Sequence, residues 1–72
     1  MADFETLVFE EKDNVAWIRM NRPDEMNALN LPMARDLCRA ATYCTVETGI
    51  RAVVLTGTGK SFCAGGDVKN MV

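Results

Sequence analysis

The chain has 72 residues, of which 49% are hydrophobic and 25% are charged, and its formal net charge is −2. A weakly acidic chain offers nothing that attracts nucleic-acid phosphates, and nowhere do eighteen apolar residues run together, so neither a nucleic acid nor a membrane is an expected partner. A chain this short makes at most one small domain of marginal stability, since folding buries only about 60% of its unfolded surface.

The start of the chain and its cysteines bear on its compartment. Residues 1–5 are acidic where a signal or transit peptide would be basic, so we predict a cytoplasmic protein that begins at its native start. There is no histidine, and the odd set of cysteines has no C-x-x-C spacing: Cys38, Cys44 and Cys63. We therefore expect no metal site and no disulfide framework, and we interpret each thiol as a small buried hydrophobic group.

Two strands are predicted at the beginning of the chain. Residues 6–11 and 15–21 are rich in Val, Ile, Phe and Trp with partial alternation, and residues 12–14 between them are typical of a turn. The pattern predicts a β-hairpin. Trp17 lies on the second strand, where we expect it to pack in a core rather than to stack on a ligand.

A loop and then a helix follow. Pro23 has no backbone N–H to donate to a neighbouring strand, so the second strand is expected to end before it. Asn30 is typical of an N-cap, and Pro32 falls in the first turn of a helix predicted over residues 31–46. Gly49 lies just past its end, where a left-handed C-terminal cap favours glycine. The stripe expected to face the core is Ala34, Leu37, Cys38, Ala41 and either Cys44 or Thr45.

The predicted third strand, residues 51–56, is almost wholly apolar. Such a run is typical of a strand that is covered on both faces in a parallel or mixed sheet. A strand, a helix and a second buried strand form a βαβ crossover, so the fold class is α/β. Because a single crossover helix leaves one face of that strand bare, this architecture implies more chain or another subunit.

The segment that carries chemistry is residues 57–69, which contains four glycines and leaves the carboxyl end of this strand. Ligands of open α/β sheets bind at that end. Glycine lets a ligand approach the backbone, whose N–H groups then donate to an anionic oxygen. The alternative is a glycine-rich turn before a helix. A phosphate-binding P-loop is excluded, because Val54 stands where its first glycine is required.

Residues 51–71, RAVVLTGTGKSFCAGGDVKNM, closely resemble the stretch of the crotonase superfamily that ends its third strand and forms the acyl-CoA oxyanion loop. Residues 15–29, VAWIRMNRPDEMNAL, are similar to the second strand and the Asn-Ala-Leu turn of the same superfamily. The resemblance covers essentially the whole chain and is of the enoyl-CoA hydratase/isomerase type. It implies that residues 1–72 are the N-terminal part of a single crotonase-like acyl-CoA-binding domain. They would supply the β-hairpin and βαβ unit of its ββα spiral fold, incomplete in this chain.

The resemblance also implies residue roles. The backbone N–H of Gly66 would be one of two donors that hold the thioester oxygen as it becomes an enolate. Asp67 is interpreted chiefly as a cap of the short helix that follows, and Asn27 as a side chain that fixes its turn rather than touching substrate. Arg22 and Lys60 are either partners of coenzyme A phosphates or solvated surface cations. By the same resemblance, the substrate-binding positions would be Met26, Ala28, Ala64, Gly65, Asp67, Val68 and Lys69.

The rest of the catalytic machinery is expected elsewhere. By the same resemblance, the second oxyanion donor and the two glutamates of hydratases lie on later segments. Glu25 and Glu47 fall in the first loop and near the helix end, so neither replaces them. With half an oxyanion hole and no acid or base, we expect the 72-residue chain alone to be inactive.

The parent protein is therefore interpreted as an enzyme that hydrates or isomerises acyl-CoA thioesters through a stabilised enolate. One alternative is a sister reaction of the superfamily, such as thioester hydrolysis, dehydration or ring modification. Another is a non-catalytic coenzyme A-binding or assembly fragment that needs a second polypeptide. No permanently bound cofactor is expected, since coenzyme A is part of the substrate, and the resemblance implies a homo-oligomer, either a trimer or a dimer of trimers.

Overall fold

The computed structural model describes residues 4–66, and over these residues the fold is α/β. One mixed β-sheet has the strand order β1-β2-β3, with β2 in the centre. A 3-10 helix and an α-helix connect β2 to β3. The elements are β1 (Leu7–Lys12), β2 (Val15–Met20), the 3-10 helix (Pro23–Glu25), α1 (Leu31–Val46) and β3 (Ala52–Gly57).

The first two strands form the predicted β-hairpin, with bounds that differ from the prediction by one residue. They pair antiparallel from Leu7 opposite Met20 to Lys12 opposite Val15. The two-residue turn between them has positive φ at Asp13 and Asn14, 54° and 67°. Two left-handed residues in a two-residue loop are the signature of a type I′ turn, whose twist matches that of the flanking strands.

The predicted βαβ crossover is also confirmed. β2 and β3 pair in parallel from Val15 opposite Ala52 to Met20 opposite Gly57, so β3 begins one residue later than predicted. Parallel pairing places the carboxyl ends of β2 and β3 at the same edge of the sheet. The loops that follow these two strands therefore leave the sheet side by side.

The α-helix has the predicted bounds and N-cap. The Asn30 side chain accepts a hydrogen bond from the backbone N–H of Met33 at 3.0 Å. The predicted glycine cap is wrong, because the C-cap is Glu47 in an extended conformation, with its N–H donating to the Tyr43 carbonyl oxygen. Gly49 does not have a positive φ. The chain reverses instead through a turn after Glu47, in which the Ile50 N–H donates to the Glu47 carbonyl oxygen at 3.3 Å, so a left-handed glycine is not needed.

Helix α1 packs on β1 and β2. The buried hydrophobic core consists of Leu7, Ala16, Ile18, Met20, Met33 and Ala40. The predicted helix stripe is wrong in part: Leu37 and Cys44 pack against this core, whereas Cys38 and Ala41 are exposed. The helix is turned so that Asp36 faces inward, where its carboxylate binds Thr6 at the start of β1.

Because α1 lies over β1 and β2, it leaves β3 open. Val53 is 50% exposed and Leu55 46% exposed, so the predicted burial of β3 on both faces is wrong within residues 4–66. Their side chains line an apolar groove of about 570 Å³ against the uncovered side of α1. Trp17 is 41% exposed on the other sheet face, which contradicts its predicted core position.

The cysteines differ in their surroundings. Cys44 and Cys63 are half-buried against the core, in agreement with their interpretation as small hydrophobic groups. The same interpretation is wrong for Cys38, which is exposed. It lies on a part of α1 that faces away from the sheet, because the helix is turned towards β1 through Asp36.

Candidate functional site

Two loops meet at the edge of the sheet where β2 and β3 end. The Ala64 N–H donates to the Met26 carbonyl oxygen at 3.0 Å, and the Leu29 N–H donates to the Gly65 carbonyl oxygen at 2.7 Å. Leu29 and Gly66 also form an isolated parallel β-bridge. The glycine-rich loop that follows β3 is thus hydrogen-bonded to the turn that lies between β2 and α1.

The turn after β2 contains two consecutive left-handed residues. Met26 has φ 51° and Asn27 has φ 56°. Asparagine tolerates this conformation, whereas a long apolar side chain such as that of Met26 adopts it at a cost on the order of 1 kcal/mol. The reversal follows the 3-10 helix and turns the Met26 carbonyl group towards Ala64, with which it pairs.

The side chain of Asn27 is fully buried between the two loops, with 0% exposure. Its Oδ1 accepts from the backbone N–H of Arg22 at 2.8 Å. Its Nδ2 donates to the carbonyl oxygens of Thr58 at 2.9 Å and Ser61 at 2.8 Å. The sequence predicted that this side chain fixes its own turn. The structure confirms that and adds two bonds to the glycine-rich loop, which no local sequence signal indicates.

Gly57 is required at the end of β3 because its surroundings leave no room for a side chain. An added Cβ atom would lie 2.5 Å from the Phe62 carbonyl oxygen and 2.8 Å from both Asn27 Nδ2 and the Ser61 carbonyl oxygen. Two of these neighbours are backbone atoms, which cannot rotate away. The first glycine of the loop therefore permits the close packing that brings the loop back over the end of the sheet.

Gly65 and Gly66 form the exposed end of the described loop. Gly65 has φ 98°, a conformation in which glycine is strongly favoured, and an added Cβ atom there would meet open space. In the bridge to Leu29, the carbonyl oxygen of Gly65 accepts the hydrogen bond from the Leu29 N–H. Within residues 4–66, the backbone N–H of Gly66 has no hydrogen-bond acceptor.

The other predicted site residues lie around this edge. Met26 is 58% exposed, Ala64 is exposed and Ala28 is half-buried. The Arg22 guanidinium donates to the carbonyl oxygen of Ala28, which places this cation beside the same turn. Lys60 is exposed on the glycine-rich loop. The predicted positions Asp67, Val68 and Lys69 lie outside the described residues.

The groups with raised pKa lie away from this edge. The pKa of Tyr43 is raised to about 12, chiefly because its hydroxyl donates to the Glu11 carboxylate. Burial, and then the negative charge of Glu11, raise the pKa of the Cys44 thiol. Both residues belong to the second half of α1, whereas Gly66 pairs with Leu29, just before α1 begins. Neither group with a raised pKa therefore lies at the edge where the two loops meet. The backbone N–H groups at that edge can donate to an anionic oxygen, but they cannot transfer protons.

No helix among residues 4–66 is both long enough and apolar enough to cross a membrane. No cluster of three or more His, Cys, Asp or Glu residues that could hold a metal ion is present in the same part of the chain.

The family model for enoyl-CoA hydratase/isomerase matches residues 10–72. The chain belongs to the enoyl-CoA hydratase/isomerase family. The predicted crotonase resemblance is thereby confirmed for the family, and solved structures confirm it for the fold. An enoyl-CoA hydratase/isomerase from Mycobacterium paratuberculosis superposes with a TM-score of 0.89 at 37% identity, over 93% of this chain and 26% of that one.

Curated relatives within the family carry more than one activity in their names. The protein named "Probable enoyl-CoA hydratase echA8" of Mycobacterium bovis is 38% identical over 68 residues, which cover 94% of this chain and 26% of the relative. The 3-hydroxyisobutyryl-CoA hydrolase 1 of Arabidopsis thaliana is 36% identical over 72 residues, covering 100% of this chain and 19% of the relative. The chain therefore spans about a quarter or less of the length of these relatives.

Proposed function

We propose that this chain supplies one half of the oxyanion hole of an enzyme that hydrates or isomerises enoyl-CoA thioesters. The backbone N–H of Gly66 is the proposed donor to the thioester oxygen. The observation that supports it is that Gly66 is exposed on the loop that follows β3, and that its N–H has no acceptor among residues 4–66. The proposal concerns the whole protein, because the chain spans about a quarter of the matched hydratase.

The proposed contribution to catalysis is electrostatic. Negative charge grows on the thioester oxygen as the enolate forms, so a fixed donor binds the transition state more tightly than the substrate. Hydrogen bonds from Leu29 and to Met26 hold the backbone on the amino side of Gly66. One preorganised donor of this kind is worth about 3 kcal/mol, or roughly a hundredfold in rate. The proton transfers fall to groups outside the described residues.

The substrate-binding role proposed for the surrounding residues rests on the same edge. Met26, Ala64 and Gly65 are exposed and Ala28 is half-buried at this edge, where the thioester is proposed to approach Gly66. Coenzyme A enters as part of the substrate and not as a resident cofactor. We further propose, from family membership, that the whole protein is a homo-oligomer, a trimer or a dimer of trimers.

A segment replacement tests this function. The chain is exchanged for the matching 26% of the Mycobacterium paratuberculosis protein, and kcat is measured on crotonyl-CoA. We expect activity in the chimera, its retention in Gly66→Ala, which keeps the N–H, and a loss of about a hundredfold or more in Gly66→Pro, which deletes it. Circular dichroism confirms that each variant is folded. A folded Gly66→Pro chimera with the parental kcat contradicts the oxyanion role.

Thioester hydrolysis is the second candidate, favoured by the match of the entire chain to the Arabidopsis hydrolase. The two reactions share the need to stabilise a negatively charged thioester oxygen, and they differ in the acid–base groups. A second chimera, built on that hydrolase, distinguishes an oxyanion role of this segment in either reaction from a non-catalytic assembly role. If this segment is a general oxyanion donor, both chimeras are active and both lose activity with Gly66→Pro. If it is a non-catalytic fragment, neither chimera responds to that substitution.

A further inference from the structure

We propose that Asn27 is a positioning residue that sets where the Gly66 N–H points, an inference that rests on the proposed function of Gly66. Asn27 is fully buried and lies between the turn after β2 and the loop after β3. No contact with substrate is required for this role. The amide acts by holding one loop at a fixed distance from the other.

The hydrogen-bonding capacity of this amide is almost fully used. Both Nδ2 protons and one lone pair of Oδ1 are engaged, at distances of 2.8 to 2.9 Å. The acceptor side holds the Arg22 backbone in the first loop. The donor side holds two carbonyl oxygens, those of Thr58 and Ser61, in the second loop. Because these partners lie 31 and 34 residues away in sequence, the side chain links segments that local structure does not connect.

This link leads to Gly66 through the backbone. On one side of Asn27, the Met26 carbonyl oxygen accepts from Ala64; two residues beyond it, Leu29 donates to Gly65. The loop from Thr58 to Gly66 is thus fastened first by the Asn27 amide and then by two main-chain bonds. If the Asn27 hydrogen bonds are lost, only the two main-chain bonds hold the loop, and the direction of the Gly66 N–H is less well fixed.

Asparagine is suited to this position for two independent reasons. The backbone at residue 27 is left-handed, with φ 56°, which asparagine and aspartate tolerate better than most residues. The two carbonyl oxygens require two donors, which aspartate lacks. Asn27→Asp therefore keeps the size, the backbone preference and the acceptor, and changes only the donors.

Asn14→Asp is the matched control. Asn14 is also left-handed, with φ 67°, but it is exposed in the hairpin turn, and its side chain has no hydrogen bond among the described residues. The two variants make the same chemical change in the same backbone conformation. Only the variant at residue 27 removes the donors that bond to carbonyl oxygens of the loop that contains Gly66.

The first measurement is hydrogen exchange by mass spectrometry, on the 72-residue chain and on the Mycobacterium paratuberculosis chimera. In Asn27→Asp we expect exchange of peptides covering residues 58–66 to be faster by about tenfold, since two partly buried carbonyl groups lose their donor. Peptides of the β1–β2 hairpin should keep their exchange rates. Asn14→Asp should leave residues 58–66 unchanged. Unchanged exchange of this loop in Asn27→Asp overturns the proposal, whatever the activity.

The second measurement is the pH profile of kcat in the chimera. We expect Asn27→Asp to lower kcat at least about tenfold at neutral pH, with KM changed much less. A buried carboxyl group that faces two carbonyl oxygens has a raised pKa, and its protonated form regains one donor. Activity relative to the parental chimera should therefore rise as the pH falls. If the kcat–pH profile of Asn27→Asp runs parallel to that of the parental chimera, or if only KM is changed, a positioning role is contradicted.

These experiments separate two kinds of failure. If Gly66→Pro is harmless in the chimera while Asn27→Asp still accelerates exchange of residues 58–66, the oxyanion function is wrong and the loop fastening is right. If Gly66→Pro is damaging while Asn27→Asp changes neither exchange nor kcat, the oxyanion function stands and the positioning role of Asn27 is wrong.

Discussion

The carboxylate of Asp36 accepts two hydrogen bonds from Thr6, one from its backbone N–H at 2.9 Å and one from its hydroxyl at 2.8 Å. Asp36 is 5% exposed and Thr6 is 5% exposed, so both bonds are shielded from water. A second partner, the Arg39 guanidinium, lies 3.7 Å from the other carboxylate oxygen. This cluster holds α1 against the start of β1, although Thr6 and Asp36 are 30 residues apart in the sequence.

Replacing Asp36 by alanine should destabilise the chain. The buried Thr6 N–H loses its acceptor at a cost of about 1–3 kcal/mol. The gain in helix propensity on changing a mid-helix aspartate to alanine is only about 0.6 kcal/mol, so the loss dominates. The free energy of unfolding is measured in urea, with Trp17 fluorescence as the probe. Arg35→Ala, at the exposed neighbouring position, should stay within about 0.5 kcal/mol of the parent. Equal effects of the two variants contradict a fastening role for Asp36.

Gly57→Ala should be more damaging than its single methyl group suggests. The new Cβ atom would stand 2.5 Å from the Phe62 carbonyl oxygen, so the glycine-rich loop must shift, at a cost of about 1–3 kcal/mol. Gly49→Ala is the matched control: its Cβ atom would meet only Glu47 Oε1 at 3.6 Å, and its φ is not positive. This variant should gain about 0.4–1 kcal/mol through the unfolded state. Thermal unfolding of both variants distinguishes the two effects, and a tolerated Gly57→Ala would show that the loop is not closely packed there.

The phenol of Tyr43 should titrate well above its ordinary pKa. Its hydroxyl donates to the Glu11 carboxylate, which raises the pKa from 10.0 to about 12. Tyr43 is the chain's single tyrosine, so the near-ultraviolet absorbance of phenolate reports on it alone. In Glu11→Gln the midpoint should fall towards 10, while Glu10→Gln, at an exposed neighbouring position, should leave it in place. An unchanged midpoint in Glu11→Gln would contradict the assigned cause.

The same pair sets a pH dependence of stability whose sign follows from the raised pKa. The protonated phenol is favoured in the folded state, so the contribution is fully present below pH 10 and is lost as the pH rises towards about 12. The hydrogen bond between Tyr43 and Glu11 is exposed to solvent, which keeps the effect small. Urea midpoints of the parent and of Glu11→Gln should therefore converge as the pH rises through this window. Midpoints that diverge over the same range would contradict the sign.

The 72-residue chain alone should not turn over crotonyl-CoA. Glu47 caps α1 and precedes β3, whereas Gly66 follows β3, so about 20 Å of strand separates them. Glu25 is exposed in the 3-10 helix of the first loop. With Glu47 this far away, the two glutamates cannot act as an acid–base pair beside the proposed oxyanion donor. Hydration is followed by the loss of enoyl absorbance, with the active chimera as the positive control, and turnover above background would show that the catalytic groups have been misplaced.

Local features of the sequence determined most of the elements. Alternation at residues 6–11 and 15–21 with a turn between them predicted the hairpin, since a two-residue loop of Asp13 and Asn14 admits left-handed conformations. Asn30 and Pro32 located the start of α1, because capping depends on a few adjacent residues. The parallel placement of β3 followed from the need for a helical crossover, and the glycine-rich loop was expected at the right edge of the sheet.

Only the tertiary structure decided which side of α1 is buried and how the two loops are fastened. Spacing in the sequence admits several apolar stripes, and the choice was made by the long-range bond between Asp36 and Thr6. The exposure of Val53 and of Trp17 likewise depends on what covers the sheet, which no local pattern records. The bonds from Asn27 to Thr58 and Ser61 span more than thirty residues. A residue's own neighbours specify its backbone conformation, whereas its burial and its distant partners are fixed when the whole chain packs.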